Sequence, residues 1–157
     1  MTMGLALAII GAAIAATFAG IGSAYGVQAG GKAAAGVVAE KPELFGRLLV
    51  LQALPGTQGI YGFLTAILIM VQVGIVGGNV VDLSVTQGLG YLVAGLPIGI
   101  VGWWSGIYQG KTAVASIHMT AKDPEASARG ITMTALVETY AILALLVSIL
   151  LLYGIPV

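Results

Sequence analysis

The chain has 157 residues, of which 59% are hydrophobic and only 8% charged, and its six basic and six acidic side chains cancel to a formal net charge of zero. A soluble globular domain carries about a quarter charged residues, so this composition, with a mean hydropathy of +1.04, excludes one and points to an all-α protein that crosses a membrane several times. Six basic residues make no field for nucleic acid, the lack of cysteine removes disulfides and thiolate metal sites, and the lone His118 makes no metal site.

The first predicted element runs from about Gly4 to Val38. It opens on an apolar stretch with no basic residue before Lys32, which a secretory signal would need, so it reads as a retained transmembrane helix. Gly22, Gly26 and Gly30 recur at four-residue spacing, a pattern that lets helix backbones approach closely in lipid. That pattern fits tight packing inside one four-helix bundle, and equally helices that line the inside of a ring of identical subunits. The stretch AEKPEL at Ala39 to Leu44 then places a proline beside an acidic residue, as a turn into a new helix does.

The second element, Leu44 to Val76, contains LQALPGTQGIYGFLTAILI. Leu54, Thr57, Gln58 and Tyr61 stand at i, i+3, i+4 and i+7 and share one helical stripe. Pro55 removes a backbone donor and pushes away the carbonyl of Leu51. A kink there turns neighbouring carbonyls, such as that of Leu54, toward a ligand. After a central connection, GGNVVDLS at Gly77 to Ser84, the third element runs from Gln87 to Thr120, with Gly95, Gly99, Gly102, Gly106 and Gly110 and, in SGIYQGK, Gln109. Trp103, Trp104, Tyr91, Tyr25 and Tyr153 read as interfacial or packing aromatics.

A second proline turn, AKDPEA, leads into the fourth element, Ser127 to Ile155. Here Glu138 lies about nine residues, or ~13 Å of helix, past Arg129, close to mid-membrane. An ionised carboxylate at that depth costs several kcal/mol unless neutralised, which makes it a functional-site candidate in need of a partner. Lys32, Lys41, Arg47, Lys111, Lys122 and Arg129 all group toward the two proline turns. A mobile ion is therefore the leading partner.

The two halves are copies. At an offset of 82 residues, Gly20, Ser23, Pro42, Glu43, Arg47, Leu54 and Thr57 recur as Gly102, Ser105, Pro124, Glu125, Arg129, Leu136 and Thr139. The chain thus reads as two parallel helical hairpins, 1–78 and 79–157. The same register sets Gly56 opposite Glu138, so only the second hairpin carries the membrane carboxylate. Basic residues flank only the repeated turns, which the positive-inside rule puts in the cytoplasm, with both termini outside. Lys111 lies about a dozen residues, ~18 Å, before its turn, so it must snorkel or belong to a helix that projects well beyond the bilayer.

Thr57, Gln58 and Tyr61 lie roughly as many residues from Arg47 as Glu138 does from Arg129, and similar sequence distance in copied hairpins implies similar depth. A proton on Glu138 needs only the carboxylate and an acceptor. A bare cation needs several oxygens at once, and one negative charge with hydroxyl, amide and backbone oxygens suits monovalent sodium better than calcium or magnesium. Taken singly, Thr57, Gln58 and Gln109 also read as interhelical hydrogen-bonding residues. Other readings are a small secondary transporter exchanging protons for a cationic drug, whose site needs aromatics, and a structural channel-like oligomer.

At LPGTQGIYGF (Leu54 to Phe63), GIYQGK (Gly106 to Lys111) and VETYAIL (Val137 to Leu143) the sequence resembles the proteolipid, or rotor-ring, subunit of V-type ATPases, in particular the bacterial sodium-translocating kind. The resemblance implies a membrane-embedded homo-oligomeric ring turning against a stator subunit that supplies an arginine, with a central stalk docked on the cytoplasmic turns. It implies that ATP is hydrolysed by a soluble motor and not by this chain. It further implies Na+ ligands at the backbone carbonyl of Leu54 and at Thr57, Gln58, Gln109 and Glu138, with Tyr61 locking the glutamate; the same ring carrying H+ is the alternative.

Overall fold

The structure is a computed structural model and describes residues 2–156. Four long helical runs follow one another. They are α1 (Met3–Glu40); α2 (Phe45–Ala53) continued after a 3-10 turn by α3 (Thr57–Gln72); α4 (Val85–Lys122); and α5 (Ser127–Tyr153). All four runs are long and apolar enough to cross a membrane. The 38 residues of α1 and of α4 make rods of ~57 Å at ~1.5 Å per residue. A hydrocarbon core of ~30 Å leaves both projecting. Lys111 accordingly lies well inside α4, which continues to Lys122, with its ammonium 5.4 Å from the centre of the Tyr108 ring. An aromatic face stabilises a cation in that position.

The helix ends are set locally. Thr2 accepts from the Leu5 amide at 3.3 Å at the start of α1. Ser84 and Gln87 form a reciprocal capping box at the start of α4, and this draws the helix start back to Val85 from the expected Gln87. Pro42 and Pro124 each open a short 3-10 turn, where a missing N–H costs nothing. The second run stops at Gln72 and not at the expected Val76. Gly74 and Gly78 there take φ of 76° and 73°, left-handed values that interrupt a right-handed helix.

Between α1 and α4 there is close backbone-to-backbone contact from Gly4 to Gly26 of α1, beyond which Gly30 and Gly31 face Gln52 of α2. Gly4 meets Gly88, Gly11 meets Gly95, Gly22 meets Gly106 and Gly26 meets Gly110, each pair 84 residues apart, and a Cβ at any of them would run into the facing main chain. The glycine rows therefore serve close packing within the chain. The α3 helix lies on α1, where Gly62 faces Ala15 and Gly59 faces Ser23; Ser105, Gln109 and Ser116 tie α4 to α5. Tyr91 is wholly buried in the cluster formed by Leu5, Ala8, Ile69, Val73 and Leu152.

Both proline turns lie at one end of the bundle. Arg47 donates to the Pro124 carbonyl and sits 3.4 Å from the Glu125 carboxylate, and the Lys41 ammonium donates to the Ala121 carbonyl at 2.6 Å. At the other end Gln87 donates to the Pro156 carbonyl at 2.7 Å. The two hairpins are parallel.

Candidate ion-binding site

The site is built on the break at Pro55. Because the proline nitrogen donates nothing, the helix tightens into the 3-10 turn Leu54–Gly56 before resuming at Thr57. The turn presents the Leu54 carbonyl to the Thr57 hydroxyl, which donates to it at 3.0 Å. The Thr57 oxygen lies 3.4 Å from the amide oxygen of Gln58. Leu54, Thr57 and Gln58 thus converge three oxygens on one side of the second run.

From α4, Gln109 reaches the same place. Both glutamines are wholly buried, and a buried amide is costly unless bonded. The Gln58 amide donates to the Gln109 carbonyl oxygen and, at 3.2 Å, to the Ser105 hydroxyl. In turn the Gln109 amide donates to the Thr134 carbonyl of α5 at 3.1 Å. Each glutamine anchors its nitrogen on a neighbouring helix and leaves its oxygen on the side of the network.

The carboxylate enters from α5. Glu138 is half-buried, and Tyr61, one helical turn beyond Thr57 and Gln58, donates its hydroxyl to it. Ser105 links the two groups, accepting from Gln58 and donating at 3.1 Å to the carbonyl of Val137, the residue before Glu138. Of the six residues singled out from the sequence, Leu54, Thr57, Gln58 and Gln109 form one hydrogen-bonded group and Tyr61 with Glu138 a second, and Ser105 bridges from the first only to the backbone of Val137, next to Glu138. Ser105 and Thr134 also belong to the first group, and the sequence offered one sign of the former: Ser105 and Gln109 are four apart on α4 and share a face.

The arrangement offers one full negative charge and several neutral oxygens. Among the described residues the only ion pair is Arg47 with Glu125, so none of their cations pairs with Glu138. Nor do the described residues contain a group of three or more His, Cys, Asp or Glu able to hold a metal, as a divalent ion would favour. The cavity between α4 and α5 is lined by Trp104, Tyr108, Val137 and Tyr140, and Glu138 is not among its lining residues.

The sequence profile of the ATP synthase C-subunit family matches this chain twice, over residues 10–69 and 92–151, the second match starting 82 residues after the first. The chain belongs to this family. The first match covers α1 to α3 and the second α4 and α5, so the duplicated unit is the helical hairpin. The V-type sodium ATPase subunit K of Enterococcus hirae is 50% identical over 148 residues, 94% of this chain and 91% of that protein. The A-type ATP synthase subunit K of Methanocaldococcus jannaschii is 41% identical over 151 residues, 96% of this chain but only 64% of the longer archaeal protein. The V-type proton ATPase 16 kDa proteolipid of Homo sapiens is 27% identical over 144 residues, 92% of this chain and 89% of that protein. As a member of this family, the chain is a multi-pass membrane proteolipid of an ATPase complex and not itself the catalyst of ATP hydrolysis.

Proposed function

We propose that the chain is the rotor-ring subunit of a V-type ATPase and carries one Na+ per subunit across the membrane on Glu138. The observation that supports this reading is that Glu138, a carboxylate with no ion-pair partner among the described residues, takes its hydroxyl donor from Tyr61, on the same helical stripe as Leu54, Thr57 and Gln58. The sodium specificity in the name of the Enterococcus relative supports it. Sodium is the cargo, held by the Leu54 carbonyl, Thr57, Gln58, Gln109 and Glu138, while Tyr61 orients the carboxylate.

The electrostatics give a working cycle. Loaded, the site is neutral overall and passes through lipid as the ring turns. Emptied, Glu138 is an anion that needs water or a cation, and an arginine of the stator subunit supplies one. Each subunit moves one charge, worth about 2.3 kcal/mol against 100 mV. Hairpin 79–157 carries the charge, and hairpin 1–78 gives ligands and scaffold. The turns at Pro42 and Pro124 face the cytoplasm and dock the central stalk, as their basic flanks favour.

The proton is the second reading, since a Tyr61 hydroxyl on Glu138 serves a protonated acid as well. Carbodiimide labelling of the purified protein separates the two. Modification confined to Glu138 and slowed by sodium, but not by potassium at equal ionic strength, is the expected result; labelling indifferent to sodium at every pH selects the proton.

A further inference from the structure

We infer that Ser116 and Thr134 are positioning residues for the ion site, locking the axial register of α5 against α4 and with it the height of Glu138 beside Gln109. The inference rests on the sodium reading above and adds the residues that hold the geometry of its cage.

A cation held by oxygens from several helices needs those helices fixed lengthwise. A slip of one residue moves a side chain by ~1.5 Å along the axis, enough to take an oxygen out of coordination. Apolar contacts are not directional and resist such a slip weakly, whereas hydrogen bonds fail within a few tenths of an ångström.

The α4 helix turns a row of hydrogen-bonding side chains toward α5. Ser105, Gln109 and Ser116 stand at i, i+4 and i+11 and share one face. Each ends on a main-chain carbonyl of α5: Ser105 on Val137, Gln109 on Thr134 and Ser116 on Gly130, all at 3.1 Å. The three acceptors stand at i, i+4 and i+7 of α5 and also share a face. The two helices are thus joined by three rungs.

The rung nearest the proline turn is reinforced. The Thr134 hydroxyl donates to the same Gly130 carbonyl at 2.8 Å, and the Ser116 and Thr134 hydroxyl oxygens lie 3.1 Å apart. Both residues are buried, where a bond left unmade is costly. A Cβ at Gly130 would lie 2.9 Å from that of Ser116, so the helices are in close contact at this point. Thr134 thereby acts at both ends of the argument: its hydroxyl closes the rung, and its carbonyl holds the Gln109 amide nitrogen. Glu138 is one helical turn further along α5, and any slip of Thr134 carries the carboxylate with it.

The first hairpin, which has no membrane carboxylate, lacks this row. At the offset of 82, Gln109, Ser116, Gly130 and Thr134 correspond to Val27, Ala34, Leu48 and Gln52. Only Ser105 has a hydroxyl copy, Ser23, and that one accepts from the Gly59 amide at 2.7 Å. A row that merely held a hairpin together would serve both copies. This one accompanies the carboxylate.

Sodium and proton differ in what they ask of the register. A proton on Glu138 needs the carboxyl and one acceptor, whereas sodium needs oxygens of the second run, α4 and α5 at once. Loosening the lock should therefore weaken sodium binding and spare protonation.

In the purified full-length protein, carbodiimide labelling of Glu138 is followed against sodium concentration, and against pH in the absence of sodium. Thr134→Val removes the hydroxyl and keeps the shape; Ser116→Ala removes its partner. Each should raise the half-protecting sodium concentration about fivefold, while the pH of half-maximal labelling without sodium stays that of the unmodified protein. Thr134→Ser, which keeps a hydroxyl, should restore sodium protection. Because both hydroxyls close on one carbonyl, the double variant Ser116→Ala with Thr134→Val should lose less than the product of the single effects. Thr120→Val is the control: this hydroxyl is also buried but donates within α4, to the Ser116 carbonyl at 2.9 Å. It should lower the unfolding temperature in detergent and leave sodium protection unchanged. Where Thr134→Val does not fold, Ser116→Ala carries the test. Sodium protection unchanged in the folded single variants overturns the lock and leaves the sodium reading standing. A pH midpoint that moves together with sodium protection assigns both residues to general packing and overturns the positioning role. Labelling of the unmodified protein that ignores sodium overturns the sodium reading and this inference with it.

Discussion

Tyr61 touches the chemistry through one hydroxyl, which donates to Glu138. A hydrogen bond to a charged group contributes about 1.5–3 kcal/mol, so Tyr61→Phe should raise the sodium concentration that half-protects Glu138 from carbodiimide by roughly ten- to hundredfold. Ser105 acts further back. Its hydroxyl joins Gln58 to the backbone before Glu138, and Ser105→Ala leaves the buried Gln58 amide with Gln109 as its remaining partner. A loss of about 1 kcal/mol predicts sodium protection weakened about fivefold, with ring assembly unchanged. Glu138→Gln should remove labelling and transport together while leaving the fold intact, since the amide matches the carboxylate in size and still accepts from Tyr61. Retained sodium transport in that variant would count against the proposed cycle.

At the scale of elements, the break at Pro55 is the sharpest case of local sequence dictating function. Replacing it by alanine restores the donor that the Leu51 carbonyl lacks, and the run from α2 to α3 should become one continuous helix in which the Leu54 carbonyl exchanges the Thr57 amide of the 3-10 turn for that of Gln58. Pro55→Ala should thus bind sodium more weakly than the unmodified protein, by the same labelling assay, and gain helical signal in circular dichroism. The glycine contacts give a second prediction: Gly106→Val forces apart α1 and α4 where Gly22 leaves no room. Overpacking of this kind costs about 1–3 kcal/mol, read as a lower unfolding temperature in detergent, whereas Gly46→Ala should be neutral.

Much of this was legible in the sequence because it depends on local rules. Apolar length defined four spans, proline beside acid marked the turns, and the offset of 82 aligned the two hairpins residue by residue. The central connection was harder: the residues from Val73 to Val76 are as apolar as the helix they follow, and only the backbone shows Gly74 ending it with a positive φ. The role of Ser105 was hidden for another reason. A serine in a small-residue helix looks like one more packing position, and its bonds to Gln58 and Val137 depend on how three helices are set side by side. The pairing of glycines across α1 and α4 likewise needed the structure, since spacing alone does not say which helix each row faces.

For the whole molecule, the two hairpins share a backbone plan but only one carries the carboxylate. A glutamate placed at Gly56 would sit at the matching depth without the amides, because Val27 and Tyr140 stand where Gln109 and Gln58 do in the other half. Rings of the Gly56→Glu variant should therefore still bind one sodium per subunit, counted by metal analysis of washed protein. A count of two would mean that the carboxylate alone selects the ion and that the surrounding oxygens matter little.

The clamp between the proline turns bears on the mechanics of such a machine. Lys41 reaches across to the Ala121 carbonyl, but its copy is Asp123, which turns back to cap its own turn through the Glu125 amide. The rim of an assembled ring therefore alternates in character from hairpin to hairpin, and identical landing places for a shaft recur once per chain. Under the proposed docking of a central stalk on these turns, its landing places and the transported charges share a single angular period of one per chain.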